Sequence, residues 1–129
     1  MEGFNFEILG KKVSTPMRKL EIFPTPEHVK RVVLDSDEVT SLCPVTGQPD
    51  WERVCIEFEP DKFCIESKSL KLYLWSFREE GAFCESLSSK IAQDIFDACK
   101  PYWVKVTIYQ KSRGGITITA ESLVGNTNR

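Results

Sequence analysis

The chain has 129 residues, 41% of them hydrophobic and 28% charged, with a formal net charge of −2. That length fits one domain with a core of modest size, and the charge balance makes no global case for binding nucleic acid. No apolar run approaches the roughly 18 residues that span a membrane.

The opening MEGFNFEILGKK lacks a basic start followed by an apolar block, so a signal peptide is not expected. Residues 1–40 are punctuated by Pro16, Pro24 and Pro26 and read as an N-terminal arm, with one or two helical turns at 27–34. A folded domain is expected over 41–124, and 125–129 read as a polar tail. Residues 43–50, Cys-Pro-Val-Thr-Gly-Gln-Pro-Asp, are dense in turn formers. Val54, Ile56 and Phe58 then alternate with polar residues as in a half-buried strand, and Phe63 and Ile65 start a second strand after Pro60-Asp61, which predicts a hairpin.

The period changes at Leu70, Tyr73, Leu74 and Phe77, one face of a helix that Gly81 ends. Leu87, Ile91 and Ile95 mark a second helix, ending near Cys99 and Pro101. Val104, Val106 and Ile108 alternate again, Arg113-Gly114-Gly115 turns the chain, and Ile116, Ile118 and Ala120 form the last strand. The order strand, strand, helix, helix, strand, strand predicts an α+β fold: a four-stranded antiparallel sheet with both helices on one face. Its edge strands would be exposed unless subunits join edge to edge in a ring.

The five cysteines are Cys43, Cys55, Cys64, Cys84 and Cys99, an odd number without CxxC spacing. This predicts reduced thiols in a cytoplasmic protein. With His28 as the single histidine and no finger-like spacing, no metal site is expected.

Three stretches could carry chemistry. Cys43 sits in the turn-rich loop rather than on an apolar stripe, and Asp50 follows seven residues later, where a returning chain could bring a carboxyl group to the sulfur. A loop thiol and a surface aspartate are the plainer reading. Glu66, Ser67, Lys68, Ser69 and Lys71 open the first helix, where free amides and lysines could hold phosphate; capping and solvated lysines would give the same pattern. Arg113 with its two glycines could add a cation or be only a turn. Glu85, near the start of the second helix, suits the dipole there and could also accept from a guanine-like edge. Cys55, Cys64 and Cys99 read as packing residues.

These pieces resemble the short, single-module 7-cyano-7-deazaguanine (preQ0) reductases, the QueF family. The resemblance is carried by Cys-Pro-Val-Thr-Gly-Gln-Pro-Asp at 43–50 and Glu-Ser-Lys-Ser-Leu-Lys-Leu-Tyr at 66–73. Ser76-Phe77-Arg78, Phe83 with Glu85, and Arg113-Gly114-Gly115 support it. It implies the tunnelling fold, homo-oligomeric stacked rings such as decamers, and active sites between subunits. It further implies NADPH-dependent conversion of a small deazapurine nitrile to its aminomethyl product through a Cys43 thioimide. Residue by residue, Cys43 matches the nucleophile, Asp50 the proton donor and Glu85 the anchor of the base. Residues 66–73 match the segment tied to NADPH, with Glu66 and Ser67 on the substrate side and Lys68, Ser69 and Lys71 on the cofactor side; Arg113 falls near the cofactor region. Where the family has a histidine before the anchoring glutamate, this chain has Cys84.

Two other readings fit the same motifs. A related amidinotransferase would add ammonia to the nitrile carried in tRNA and would need no NADPH segment. A non-catalytic relative would bind deazapurines without forming an adduct. A metal-dependent pterin enzyme of the same fold is disfavoured by the single histidine.

Overall fold

The computed structural model describes residue 8 and residues 15–128. Its elements are β1 (Ile22–Pro24), β2 (Val32–Leu42), β3 (Pro49–Glu59), β4 (Phe63–Ile65), α1 (Ser67–Trp75), α2 (Cys84–Cys99), β5 (Trp103–Arg113) and β6 (Ile116–Gly125). Four strands form an antiparallel sheet in the order β2-β3-β5-β6. Strands β1 and β4 form a separate antiparallel pair.

The expected sheet and helix pair are present, but the first hairpin is built differently. Strand β3 turns back onto β2, not onto β4. The short segment 63–65 instead pairs with 22–24, next to the start of α1. Residues 32–42 therefore supply a long edge strand, and the expected boundary at 40/41 falls inside it. The helical turns expected at 27–34 are replaced by a turn followed by the start of β2. The reason is cross-strand burial: Val32 and Leu34 lie opposite Phe58 and Ile56 and gain a partner on the sheet that an isolated helical turn could not supply.

One face of the sheet carries the core. Val54, Ile56 and Phe58 of β3 and Val104, Val106 and Ile108 of β5 are at most 1% exposed and pack with Leu70, Tyr73, Leu87, Ile91 and Ile95 of the two helices. Helix α2 ends because Lys100 adopts a left-handed conformation (φ 49°), its N–H donates to the Phe96 carbonyl, and Pro101 blocks continuation. Gly114 and Gly115, both at positive φ, make the two-residue β5–β6 turn that L side chains would strain. Among the described residues no helix is long and apolar enough to cross a membrane.

Two bulges decide which side chains meet. Between Ser36 and Val39 strand β2 has one residue more than β3. Such a bulge inverts the side-chain alternation. Before it Leu34 and Ser36 share the face of Ile56 and Val54; after it Val39 and Ser41 lie opposite Glu52 and Asp50 on that same face. Strand β5 has a second bulge between Gln110 and Arg113. It turns Arg113 onto the helix-covered face, at the same end of the sheet.

Candidate active site

The β2–β3 connection wraps around Cys43. The Cys43 N–H donates to the Gln48 carbonyl (2.8 Å), and the Gly47 N–H donates to the Cys43 carbonyl (2.9 Å). Gly47 sits at φ 74°, a conformation that favours glycine. The loop is also fixed from the other side. The Leu42 N–H donates to the Glu80 carbonyl (2.9 Å), and its carbonyl accepts from Ala82 (3.1 Å), which ties the α1–α2 connection to the residue before the cysteine.

Cys43 is 7% exposed. The Thr46 hydroxyl, the Thr46 and Val45 amides and the Arg113 guanidinium all stabilise its thiolate, and they bring the thiol down to about 7 from an ordinary 9.0. Asp50, 4% exposed, pairs through Oδ1 with Arg113 Nη1 at 3.1 Å. The structure thus brings together Cys43, Asp50 and Arg113. The resemblance implies a place near the cofactor region for Arg113; the β5 bulge sets its guanidinium beside the acid and the thiol.

Sequence reasoning missed a second carboxyl here. Glu52, two residues after Asp50 on the same face of β3, is 2% exposed and accepts a hydrogen bond from the buried Ser41 hydroxyl. Among the described residues its Oε2 has no partner. Burial, reinforced by the Asp50 charge and opposed by the Ser41 hydrogen bond, pushes its carboxyl up to about 7. The inward alternation starts at Asp50 and Glu52 and continues through Val54. It was legible in sequence only from Val54 onward, because charged residues at inward positions read as exposed.

Cys84, at the start of α2, is buried with its sulfur 3.8 Å from the Ile108 carbonyl. Burial and the Glu52, Glu85 and Asp50 carboxyls push its thiol up to about 11, so at neutral pH it is no nucleophile. Glu85 is exposed on the first turn of α2. A groove of about 330 Å³, lined by Pro44, Gly81, Phe83 and Ser86 among others, opens beside the Cys43 loop.

The 66–71 segment lies elsewhere. Glu66 is the N-cap of α1: its carboxylate accepts from the Lys68 and Ser69 N–H groups, each at 2.7 Å. Ser69 is fully buried, accepts from the Glu21 N–H and donates to the Glu66 carbonyl. Lys68 Nζ donates to the Ile8 carbonyl at 3.2 Å. Ser67 and Lys71 instead line a groove of about 640 Å³ between α1 and β2, with Leu34, Leu70 and Trp75. A hydroxyl, a cation and apolar walls suit one half of a phosphorylated dinucleotide. Glu66→Ala is expected to lower stability by about 1–2 kcal/mol, because it orphans two helix amides in a buried setting. Thermal unfolding followed by circular dichroism checks this; an unchanged midpoint would remove the cap from the account of α1.

Comparison with known proteins gives three findings. The family model described as QueF-like protein matches residues 49–128, a span that includes Asp50 and Glu85 and begins just after the Cys43 loop. A protein of Syntrophus aciditrophicus named NADPH-dependent 7-cyano-7-deazaguanine reductase is 46% identical over 117 residues, covering 89% of this chain and 83% of that one. A protein of the same name from Nitrosococcus oceani is 45% identical over 112 residues, covering 84% and 87%. Among solved structures, the apo form of the archaeosine synthase QueF-Like superposes with a TM-score of 0.73 over 78% of this chain and 99% of that chain; at 22% identity the likeness is one of fold.

Proposed function

The chain belongs to the QueF-like protein family, and from that membership we infer that it reduces 7-cyano-7-deazaguanine to 7-aminomethyl-7-deazaguanine with NADPH, a step of queuosine biosynthesis. The observation that carries the mechanism is the Cys43 cradle, which populates a thiolate near neutral pH beside an acid.

Cys43 is the nucleophile. A nitrile carbon is electrophilic but resists direct reduction, and addition of the sulfur converts it into a thioimide that accepts hydride readily. NADPH, when bound, supplies that hydride. Asp50 delivers protons to the nitrogen as negative charge develops there, and Arg113 orients Asp50 and steadies the thiolate. Phe83 and Pro44 wall the groove in which the base would lie, and Glu85 would accept from its ring N–H and exocyclic amine. Ser67 and Lys71 would hold the cofactor's polar groups in the α1–β2 groove. Lys68 and Ser69 support that groove from within, through their bonds to Ile8, Glu21 and Glu66.

The two halves of this chemistry lie toward opposite ends of α1, a helix about 13 Å long. Cys43 adjoins the connection that follows the helix, and Ser67 belongs to its first turn. Among the described residues β2 and β6 are the outer strands of the sheet, with edges that could pair with another subunit. Both facts support a ring of subunits in which the Ser67–Lys71 groove of one faces the Cys43 loop of the next.

The test is the reaction itself. With the nitrile and NADPH, nitrile-dependent loss of NADPH absorbance is expected, two equivalents per amine formed, from a species that sediments as an oligomer. A Cys43 adduct without NADPH oxidation would transfer the assignment to the amidinotransferase. Full activity in a monomer would end the ring proposal.

A further inference from the structure

Reducing a nitrile to an aminomethyl group adds two hydrides to carbon and two protons to nitrogen. The Cys43 thiol proton passes to nitrogen when sulfur adds and returns to sulfur when the C–S bond breaks, so it contributes none to the balance. With hydride coming from the reductant, both protons must come through the chain. Asp50 shares the Arg113 guanidinium with the thiol, and every proton it delivers has to be replaced. Each turnover therefore has to load Asp50 twice.

Directly behind Asp50 lies a buried group with no other evident purpose. Glu52 projects from β3 on the same face and is 2% exposed, and among the described residues one of its oxygens has no partner. Leaving such an atom unpaired costs stability, and an apolar residue in this interior position would avoid that cost. Ser41 bridges the two carboxyls in the register: its backbone lies opposite Asp50, and its hydroxyl donates to Glu52 Oε1. The β2 bulge is what turns Ser41 onto this face.

We propose that Glu52 and Ser41 form a proton relay that reloads Asp50 during nitrile reduction. This rests on the reductase reading of the same site. The Ser41 hydroxyl, which donates to Glu52 in this structure, turns toward Asp50 once Glu52 is protonated; Glu52 then gives its proton to the Ser41 oxygen while the hydroxyl proton passes to Asp50. Glu52 is left ionised and is reprotonated from the groove of about 490 Å³ that it lines. One proton leaves and one enters at every relay oxygen, and no bond to carbon changes. Glu52 acts through Asp50 and is a positioning residue, not a catalytic one.

The surroundings suit a group that exchanges its proton near neutrality, as its elevation to about 7 supports. Asp50 on β3 disfavours its ionised form, and the Glu52 charge in turn helps to raise the thiol of Cys84 on α2. Gln110 of β5 is its cross-strand neighbour. Asp37, Arg53, Tyr109 and Lys111 lie along the same groove; Arg53 is bound to Asp35, through Nε at 3.0 Å and Nη2 at 2.7 Å.

The experiment compares wild type, Glu52→Gln and Ser41→Ala in the full-length protein, with 7-cyano-7-deazaguanine and NADPH. Both variants are expected to form the Cys43 adduct at the wild-type rate and to keep the wild-type KM for the nitrile. Their kcat is expected to fall about 10–100-fold, less than the roughly 10²–10⁴-fold of a group that meets the substrate itself, because water can still reload Asp50 slowly. Wild-type kcat should decline as pH rises through about 7, and that limb should vanish in Glu52→Gln. Wild-type kcat with an unchanged pH profile in Glu52→Gln would overturn the relay. Should the variants fail to fold, infrared difference spectra of wild type across pH 5–9 still decide it. A protonated-carboxyl band that disappears near 7 supports the relay, and its absence at pH 5–6 overturns it. Absence of any Cys43 adduct in wild type would defeat the reductase reading instead, independently of the infrared result.

Discussion

Cys43→Ala is expected to fold and to bind the nitrile, but to lose the covalent adduct and at least about a thousand-fold in kcat, in line with the loss of an enzymatic nucleophile. The side chain is small and lies in a loop held by backbone hydrogen bonds, Cys43 to Gln48 and Gly47 to Cys43, which alanine keeps. Stability should therefore hardly change, and the lost activity can be assigned to sulfur chemistry. The wild-type thiol should also show its cradle in its pH dependence. A thiol near 7 is mostly protonated at pH 6 and mostly thiolate at pH 8. Alkylation by iodoacetamide should rise through about 7 and level off, whereas an ordinary thiol would still be gaining reactivity above pH 8. Intact mass after nitrile incubation, with the alkylation profile alongside, checks both claims. An adduct that persists in Cys43→Ala would assign the nucleophile elsewhere. Buried Cys84 is a poor substitute, with its thiol pushed to about 11.

Asp50→Asn is expected to separate adduct formation from reduction. Asparagine preserves the shape of a nearly buried side chain but cannot shuttle a proton. Adduct should still appear on Cys43, while kcat falls by about 10²–10⁴, the range of general-acid contributions. The sign of the accompanying thiol shift follows from Arg113. In wild type its guanidinium is shared between Asp50 and the sulfur. Without the Asp50 carboxylate it stabilises the thiolate more strongly, so the alkylation midpoint should stay at or move below about 7. A midpoint that rises instead, or reduction at the wild-type rate, would contradict the arrangement of acid, cation and thiol drawn here. Half-exposed Arg113 keeps access to water in this variant, so its unpaired charge should cost little stability.

The helix pair, the β5–β6 hairpin and three of the four sheet strands were legible in the amino-acid sequence. In each case the signal was local: four-residue apolar spacing at Leu87, Ile91 and Ile95, alternation at Val104 to Ile108, two glycines at a tight turn. The sequence also singled out Cys43 and Asp50, seven residues apart across a turn-rich loop, which the structure links through Arg113. Strand β2 was hidden because its exposed positions carry Asp35, Asp37 and Glu38 and its alternation reverses at the bulge, so no single period runs through it.

The rest of the site depends on long-range packing. Arg113 joins Asp50 because a bulge in β5 reverses its side, and Ser41 reaches Glu52 because a bulge in β2 does the same. Glu66 and Ser69 prove to hold the helix start, a role that chain spacing cannot separate from ligand binding. Glu52 gave no signal at all. Whether a carboxyl on a strand faces water or a buried partner depends on what packs over it, and that is settled by α2 and two neighbouring strands rather than by any nearby residue in the chain.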